Sequence, residues 1–476
     1  MKILYTTAEA VPFIKTGGLA DVAGSLPHVI KKSGHDIRVV LPLHEKIEES
    51  YKKQMVKVGE YYVKLGWRRQ YVGVLMLEHQ GTKFYFLDNE YYFKREQPYG
   101  EFDDGERYAY FSKAIVSLPK IIDFKPDIIH TNDWHTGLVN LYIKDMALED
   151  EYYRDIKSVF TIHNLKYQGV FDSSILSDVL GLSHEYFHDE SIKFFDAINY
   201  MKAGIVYCDG LNTVSKTYAQ EIKYEFFGEQ LEGIIKKHED KLVGIVNGID
   251  IDIYNPLTDN NIEKNYDFNS LEKKKQNKEA LQKLYNLEIK EDRPLVTMIT
   301  RLTSMKGIDL IKHVLDEILQ EELQLIILGT GEKEYEDLFR HYERLYPDKL
   351  RARLYFSEGE AHMIYAGGDI FLMPSMIEPC GISQLIALKY GAIPIVRETG
   401  GLKDTIHPYN KYTKEGNGFS FKNYNAHELL YTLKHALELY KNDRNTWELL
   451  MKRGMESKND WDTSSLEYIK LYQSLN

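Results

Sequence analysis

KILYTTAEAVPFIKTGGLADVAGSLPHVIKKSG, residues Lys2 to Gly34, decides the fold class. KILYTT opens as a buried strand. LADVAGSLPHVIKKSG carries apolar residues at helical spacing, with Gly34 as its stop. Gly17 and Gly18 stand between the two, behind Lys15. Strand, glycine loop and helix in that order make the opening unit of a parallel α/β sheet. A near-copy of the loop, TGGLKD, returns at Thr399–Asp404, directly after the strand pattern IPIVRE. Few features besides these hexapeptides repeat, so what surrounds each loop has to explain it.

DIRVVLPL, DIIHTND, SVFTIHN, DGLNTVS and LVGIVNG follow as strand candidates, each ending in polar or small residues. Residues 56–89 differ. They alternate with period two and predict an antiparallel meander inserted into the sheet. The alternation of strands and helices restarts with PLVTMIT, LQLIILG, ARLYF, DIFLMPS, IPIVRE and GFSF. The expected architecture is therefore two Rossmann-like, doubly wound α/β domains facing across a cleft. The first covers residues 1–245 and the second 269–455. A polar, turn-rich hinge over 246–268 joins them, and a helical tail over 456–476 is expected to pack back on the first. Ligands of such sheets bind at the carboxyl ends of the strands.

Composition narrows the function. The formal charge of -12 over 476 residues argues against a nucleic-acid binder, although a local basic cluster can still hold an anion. Two cysteines, Cys208 and Cys380, exclude a disulfide framework and favour a reducing cytoplasm. The N-terminus has no signal-peptide pattern, and no apolar run reaches the roughly 18–20 residues that span a bilayer.

The glycine loops suit phosphate. Without side chains the backbone N–H groups approach a ligand closely, and the following helix adds its positive end. Two tight turns without a ligand are the alternative, and Lys15 weighs against it. TRLTSMKG places Arg301 and Lys306 at a strand end, a planar fork plus a compact ammonium with no acid between them. Three anion-friendly loops make a diphosphate site the better reading. In MPSMIEPCGISQL, Glu378 follows a buried strand and is suited to ribose hydroxyls, while Cys380 lines the pocket or simply packs. HTNDWHTGL and TIHNLKYQG carry His130, Asp133, His135, His163 and Asn164, which read as polar strand ends around a sugar rather than as a metal site. Asp250–Asp252, DID, reads as a turn.

KTGGLADV, HTNDWHTGL, TIHNLKYQG, VNGID, TRLTSMKG, EPCGISQL and TGGLKDT, in that order over essentially the whole chain, resemble the bacterial glycogen synthases and plant starch synthases. The resemblance implies the GT-B architecture and a retaining glucosyltransferase that moves glucose from ADP-glucose to the 4-hydroxyl end of an α-1,4-glucan such as glycogen. It implies that Lys15 and the Gly17–Gly18 amides meet the donor diphosphate, and that Arg301 and Lys306 neutralise the leaving ADP. Glu378 is the acid of the family's EPCG motif. His163 stands beside the transferred glucose, with Asn164, Asp21 and Asn247 around it, and Glu9 and Asp133 lie on the acceptor side. Phe356 stands where a stacking Tyr is expected against adenine. Cys380, Thr399, Gly400 and Gly401 complete the substrate-binding set. No metal or other cofactor is expected, and neither nucleic acid nor membrane is a partner. The rivals are another nucleotide-sugar glucosyltransferase of the same fold and an inactive glucan-binding scaffold.

Overall fold

The structure, a computed structural model, describes residues 1–475. The chain forms two compact units, one of residues 1–245 with 461–476 and one of residues 246–460.

The first unit is built on a nine-stranded sheet. Its strands are β1 (Lys2–Thr6), β2 (Asp36–Pro42), β3 (Val56–Leu65), β4 (Arg68–His79), β5 (Thr82–Asp88), β6 (Ile128–Asn132) and β7 (Lys157–Ile162), then β11 (Gly210–Thr213) and β12 (Leu242–Gly244). The order is β12-β11-β7-β6-β1-β2-β5-β4-β3. All pairings are parallel except β5–β4 and β4–β3, so residues 56–89 do form the expected meander on a parallel sheet. From β1 the chain winds outward to β2, then returns to the other side of β1 for β6. That reversal puts the topological switch point between β1 and β6, and an α/β sheet opens a ligand crevice at the carboxyl ends there. A separate three-stranded sheet joins β8 (Val170–Asp172), β9 (Lys193–Phe194) and β10 (Ala197–Asn199). Its strands are too short for any periodicity to announce them.

The second unit holds six parallel strands, β13 (Leu295–Ile299), β14 (Gln324–Leu328), β15 (Leu350–Arg353), β16 (Ile370–Met373), β17 (Ile393–Arg397) and β18 (Phe419–Phe421). Their order is β15-β14-β13-β16-β17-β18, with the switch point between β13 and β16. β13 is buried on both faces, with Thr297 its one polar residue. Val296 and Met298 pack with Ile311, Leu315 and Ile318 of the helix Ile308–Gln320, whose spacing puts them on one face.

Three boundaries differ from the sequence expectation. Residues 246–268 belong to the second unit rather than forming a hinge apart from it. Ile249, Ile262 and Tyr266 are buried with Tyr365 and Phe371, Tyr266 Oη donates to the Tyr390 carbonyl at 2.6 Å, and Tyr390 Oη donates to Asp259 at 2.5 Å. A few anchoring residues fix a segment whose polarity otherwise suggested a linker. The strand expected at 242–248 ends at Gly244, where the chain leaves the sheet edge. In the tail, Arg444–Glu456 ends as a helix of the second unit, and only Trp461–Gln473 packs in the first. There Trp461, Tyr468 and Tyr472 join Ile3, Tyr5 and Val39.

Candidate functional site

In the first unit the sequence-predicted residues gather beyond the carboxyl ends of β1, β6 and β7. Gly17 caps the helix Gly18–Lys32 in extended conformation and offers no side chain to cap it. Lys15 Nζ donates to Asp21 Oδ1 at 2.7 Å across the loop, holding the ammonium beside the first turn of that helix. Glu9 anchors the loop from below. Its Oε2 accepts from Thr16 N at 2.5 Å and from Thr16 Oγ1 at 2.7 Å. Tyr99 Oη lies 2.5 Å from the same Thr16 hydroxyl. Burial raises the Glu9 pKa. Thr16 and Tyr99 escaped the sequence reading. Thr16 lies inside the quoted loop, whereas nothing in the sequence marks Tyr99.

Asp133 is the first residue of the helix Asp133–Met146 and adopts φ +53, in the left-handed region. This turn lets Oδ1 accept from His163 N at 2.8 Å, tying the end of β6 to the end of β7. Burial pushes its pKa up to about 7. His163 is almost wholly buried, and burial lowers its pKa to about 3, so the imidazole is neutral. Asn164 is half-buried, and its Oδ1 accepts from Lys166 N at 3.1 Å.

Two neighbours do not line a sugar site as expected. His130 lies inside the sheet, with Nδ1 2.6 Å from Tyr472 Oη and Nε2 2.6 Å from Thr161 Oγ1. His135 is buried among Trp134, Tyr99 and Tyr108. β6 points alternate side chains to opposite faces, and the helix after it turns His135 into the aromatic core.

In the second unit a cavity of about 200 Å³ opens at the switch point, lined by Thr300, Arg301, Lys306, Ser375, Glu378 and Ser383 among others. Lys306 Nζ donates to Glu378 Oε2 at 2.6 Å, and Ser375 Oγ donates to the same oxygen at 2.9 Å. The cavity therefore holds a fixed Lys–Glu pair with exposed Arg301 beside it. Arg397, at the end of β17, donates through Nε to Ser375 O at 2.9 Å and through Nη2 to Met376 O. It braces the turn that carries Glu378. Ser375 and Arg397 carried no sequence signal of their own, though Ser375 lies just ahead of Glu378 in MPSMIEPCG. Asn247 and Cys380 are both buried, and the Asn247 backbone hydrogen-bonds the thiol. Burial pushes the Cys380 pKa up to about 12, which makes it a packing residue rather than a nucleophile. Phe356 is 77% exposed just beyond β15.

The second glycine loop is not a second open cradle. Thr399, Gly400 and Gly401 are buried, and Gly401 N donates to the carbonyls of Glu378 and Pro379. A Cβ on Gly400 would lie 2.0 Å from Glu378 O, and one on Gly401 would lie 2.1 Å from Cys380 O. These glycines let the loop pack onto the Glu378 turn. At Gly17, by contrast, a Cβ would meet only Glu9 Oε1, at 3.8 Å. Asp250 Oδ1 accepts from Asp252 N at 2.9 Å, the turn expected there. Among the described residues no group of three His, Cys, Asp or Glu side chains is placed to hold a metal ion, and no helix is long and apolar enough to cross a membrane.

Residues 2–237 match the family model of the starch synthase catalytic domain, and residues 282–448 match that of the group 1 glycosyl transferases. The chain is 54% identical to a glycogen synthase of Finegoldia magna over 476 residues, covering 100% of both chains. It is 50% identical to one of Bacillus cereus over 475 residues, again covering 100% of both. Among solved structures it is similar to the catalytic domain of starch synthase IV from Arabidopsis thaliana bound to ADP and acarbose. There the TM-score is 0.90 at 31% identity, covering 100% of this chain and 99% of that one. Sucrose-phosphate synthase from Thermosynechococcus elongatus, at TM-score 0.64 and 13% identity over 100% of this chain and 98% of its own, shares the fold.

Proposed function

The chain belongs to the glycogen synthase family of retaining glycosyltransferases, and from that premise we propose that it moves glucose from ADP-glucose to the non-reducing 4-hydroxyl of an α-1,4-glucan in the cytoplasm. The observation that carries the donor half is the Arg301–Lys306–Glu378 cavity at the switch point of the second sheet. A guanidinium fork and an ammonium already oriented by a carboxylate suit a diphosphate leaving group. Glu378 Oε2 is engaged by Lys306 and Ser375, so Oε1 is the atom to meet a ribose hydroxyl.

In the proposed reaction the bond from the glucosyl C1 to the ADP phosphate breaks with oxocarbenium-like character. Arg301 and Lys306 take up the charge gathering on ADP. Within the first unit, Lys15, held in place by Asp21, and the amides of Gly17 and Gly18 form a group of donors suited to an anion. The acceptor 4-hydroxyl attacks from the face that ADP leaves, and its proton passes to the departing phosphate oxygen. Configuration is retained without a covalent intermediate, and trapping a glucosyl adduct on any side chain would sink this step. Asp133 and Asn164 shape the sugar site with His163, Glu9 orders the acceptor-side loop, Asn247 and Cys380 pack beneath the donor, and Phe356 stacks on the base. Lysine and arginine supply the positive charge, so no metal or other cofactor takes part.

ADP release from ADP-glucose with glycogen present, run beside UDP-glucose and repeated with EDTA, tests this reading. Glycogen-dependent release that prefers ADP-glucose and survives EDTA is the expected result. Preference for UDP-glucose overturns the donor, loss with EDTA overturns the metal-free clamp, and glycogen binding without turnover makes the chain a scaffold.

A further inference from the structure

Asn132 closes β6, fully buried against the end of β1. Its amide is fixed on both sides. Nδ2 donates to the main-chain oxygen of Thr6 at 2.9 Å. A carbonyl only accepts, so the reversed amide would set two acceptors face to face. Oδ1 therefore points away from Thr6, where it accepts from Tyr5 Oη at 3.1 Å and lies 2.8 Å from Nε2 of His163. An amide oxygen has no hydrogen to give, so the hydrogen on that short contact belongs to Nε2. A neutral imidazole carries one N–H, which leaves Nδ1 with its lone pair. Among the described residues nothing hydrogen-bonds Nδ1.

From this geometry we infer that Asn132 is a positioning residue for glucosyl transfer: it holds His163 in the Nε2–H tautomer, so that the ring meets the transferred sugar through Nδ1, as acceptor of a sugar hydroxyl. The sugar contact rests on the glucosyltransferase reading above, whereas the tautomer rests on the Thr6–Asn132–His163 hydrogen bonds alone. The opposite tautomer would press the Nε2 lone pair onto Oδ1 and turn an N–H toward the ligand. A buried neutral ring of such low basicity takes no proton from the hydroxyl. It fixes the direction of the hydroxyl and hence the orientation of the sugar over the reacting carbon.

Nitrogen-15 NMR of the full chain labelled at histidine, with His163 assigned by difference from H163Q, reads the tautomer without any substrate. A pyridine-like Nδ1 and a pyrrole-like Nε2 are expected, unchanged from about pH 5 to 8. The reverse pattern overturns the inference. In turnover of ADP-glucose with glycogen, N132A is expected to lower kcat roughly ten- to a hundredfold, with little change in KM for glycogen. The double variant N132A/H163A is expected to be no slower than H163A, because Asn132 acts through the ring. Additive losses in the double variant, or full activity in H163A, overturn the positioning role. Should N132A not fold, the wild-type spectrum together with H163A turnover decides. A wild-type chain with the expected tautomer and no glucosyl transfer would leave the hydrogen-bond assignment standing and remove the glycogen synthase reading instead.

Discussion

Gly17 and Gly400 stand at the same place in two nearly identical hexapeptides, yet their surroundings demand opposite things of them. Gly400 has φ +45 and no room for a Cβ beside the Glu378 carbonyl, whereas Gly17 is extended and almost uncrowded. G400A is therefore expected to lose more than about 2 kcal/mol of stability through strain and collision. It should also lose activity, because the Glu378 turn shifts. G17A should melt like the wild type, and on the proposed reaction its KM for ADP-glucose rises, since a methyl would stand among the amides offered to the phosphate. Melting curves with ADP-release kinetics separate the two, and an unaffected KM in G17A would remove the first loop from the donor site. In the proposed reaction the ammonium of the Lys306–Glu378 pair is the part that meets developing charge. K306A should lower kcat by roughly 10²–10³-fold, with a lowered melting temperature as well, because Glu378 is buried and keeps only Ser375 as its partner. Cys380 and Cys208 are buried thiols with pKa pushed up to about 12 and about 11. A thiol-reactive disulfide reagent at pH 8 should find neither in the native chain and both after unfolding, and rapid native labelling of Cys380 would contradict its role as a packing residue.

Strand ends, more than strands, carry the chemistry, and this explains what the sequence could reveal. TRLTSMKG and EPCGISQL declare themselves because polar residues interrupt apolar runs where the sheet ends, and they meet in one cavity. TGGLKD misled because glycine answers two needs, close approach of a ligand and close approach of backbone, and only packing tells them apart. His130 and His135 misled for a related reason, since a histidine at a strand end faces the site or the interior according to one residue of register. Asn132 was in view within HTND, but its meaning depends on Thr6 and Tyr5, which are far away in sequence. Burial of these elements makes stability depend on pH. His130 and His163 titrate at about 3 in the folded chain and His44 at about 4, against 6.5 when exposed. Between those values the unfolded chain binds protons that the folded chain refuses, so stability falls as pH falls below 6.5. Asp133 acts the other way. It keeps its proton up to about 7 when folded but releases it above 3.8 when unfolded, so its contribution falls as pH rises through that range. Three protons outweigh one, at about 1.4 kcal/mol per pH unit for each net proton. Denaturant titrations at pH 7 and pH 5 should show a clear loss of stability at pH 5, and a flat or rising trend would mean that these rings are hydrated rather than buried.

At the scale of the whole molecule, the last helix decides where each unit is completed. Trp461–Gln473 is remote in sequence from the strands it covers, and its destination is the first unit. The destination is fixed by three buried aromatics, Trp461, Tyr468 and Tyr472, packed with Ile3, Tyr5 and Val39, and by the Tyr472 hydroxyl 2.6 Å from His130 Nδ1. Each buried aromatic contributes roughly 1.5–3 kcal/mol. An orphaned His130 nitrogen would add a loss of about 1–3 kcal/mol. Together these rival the entire 5–15 kcal/mol that typically separates a folded domain from its unfolded chain. Deleting residues 461–476 should therefore unfold the first unit at ordinary temperatures. The second unit, which contains none of these residues, should keep its own transition. The single change Y472F should lower only the first unit's transition, by the equivalent of about 1–3 kcal/mol. Scanning calorimetry of the three chains resolves this. A truncated chain in which both transitions stay in place would show that the tail is a surface attachment, and a truncated chain in which both collapse together would show that the first unit supports the second.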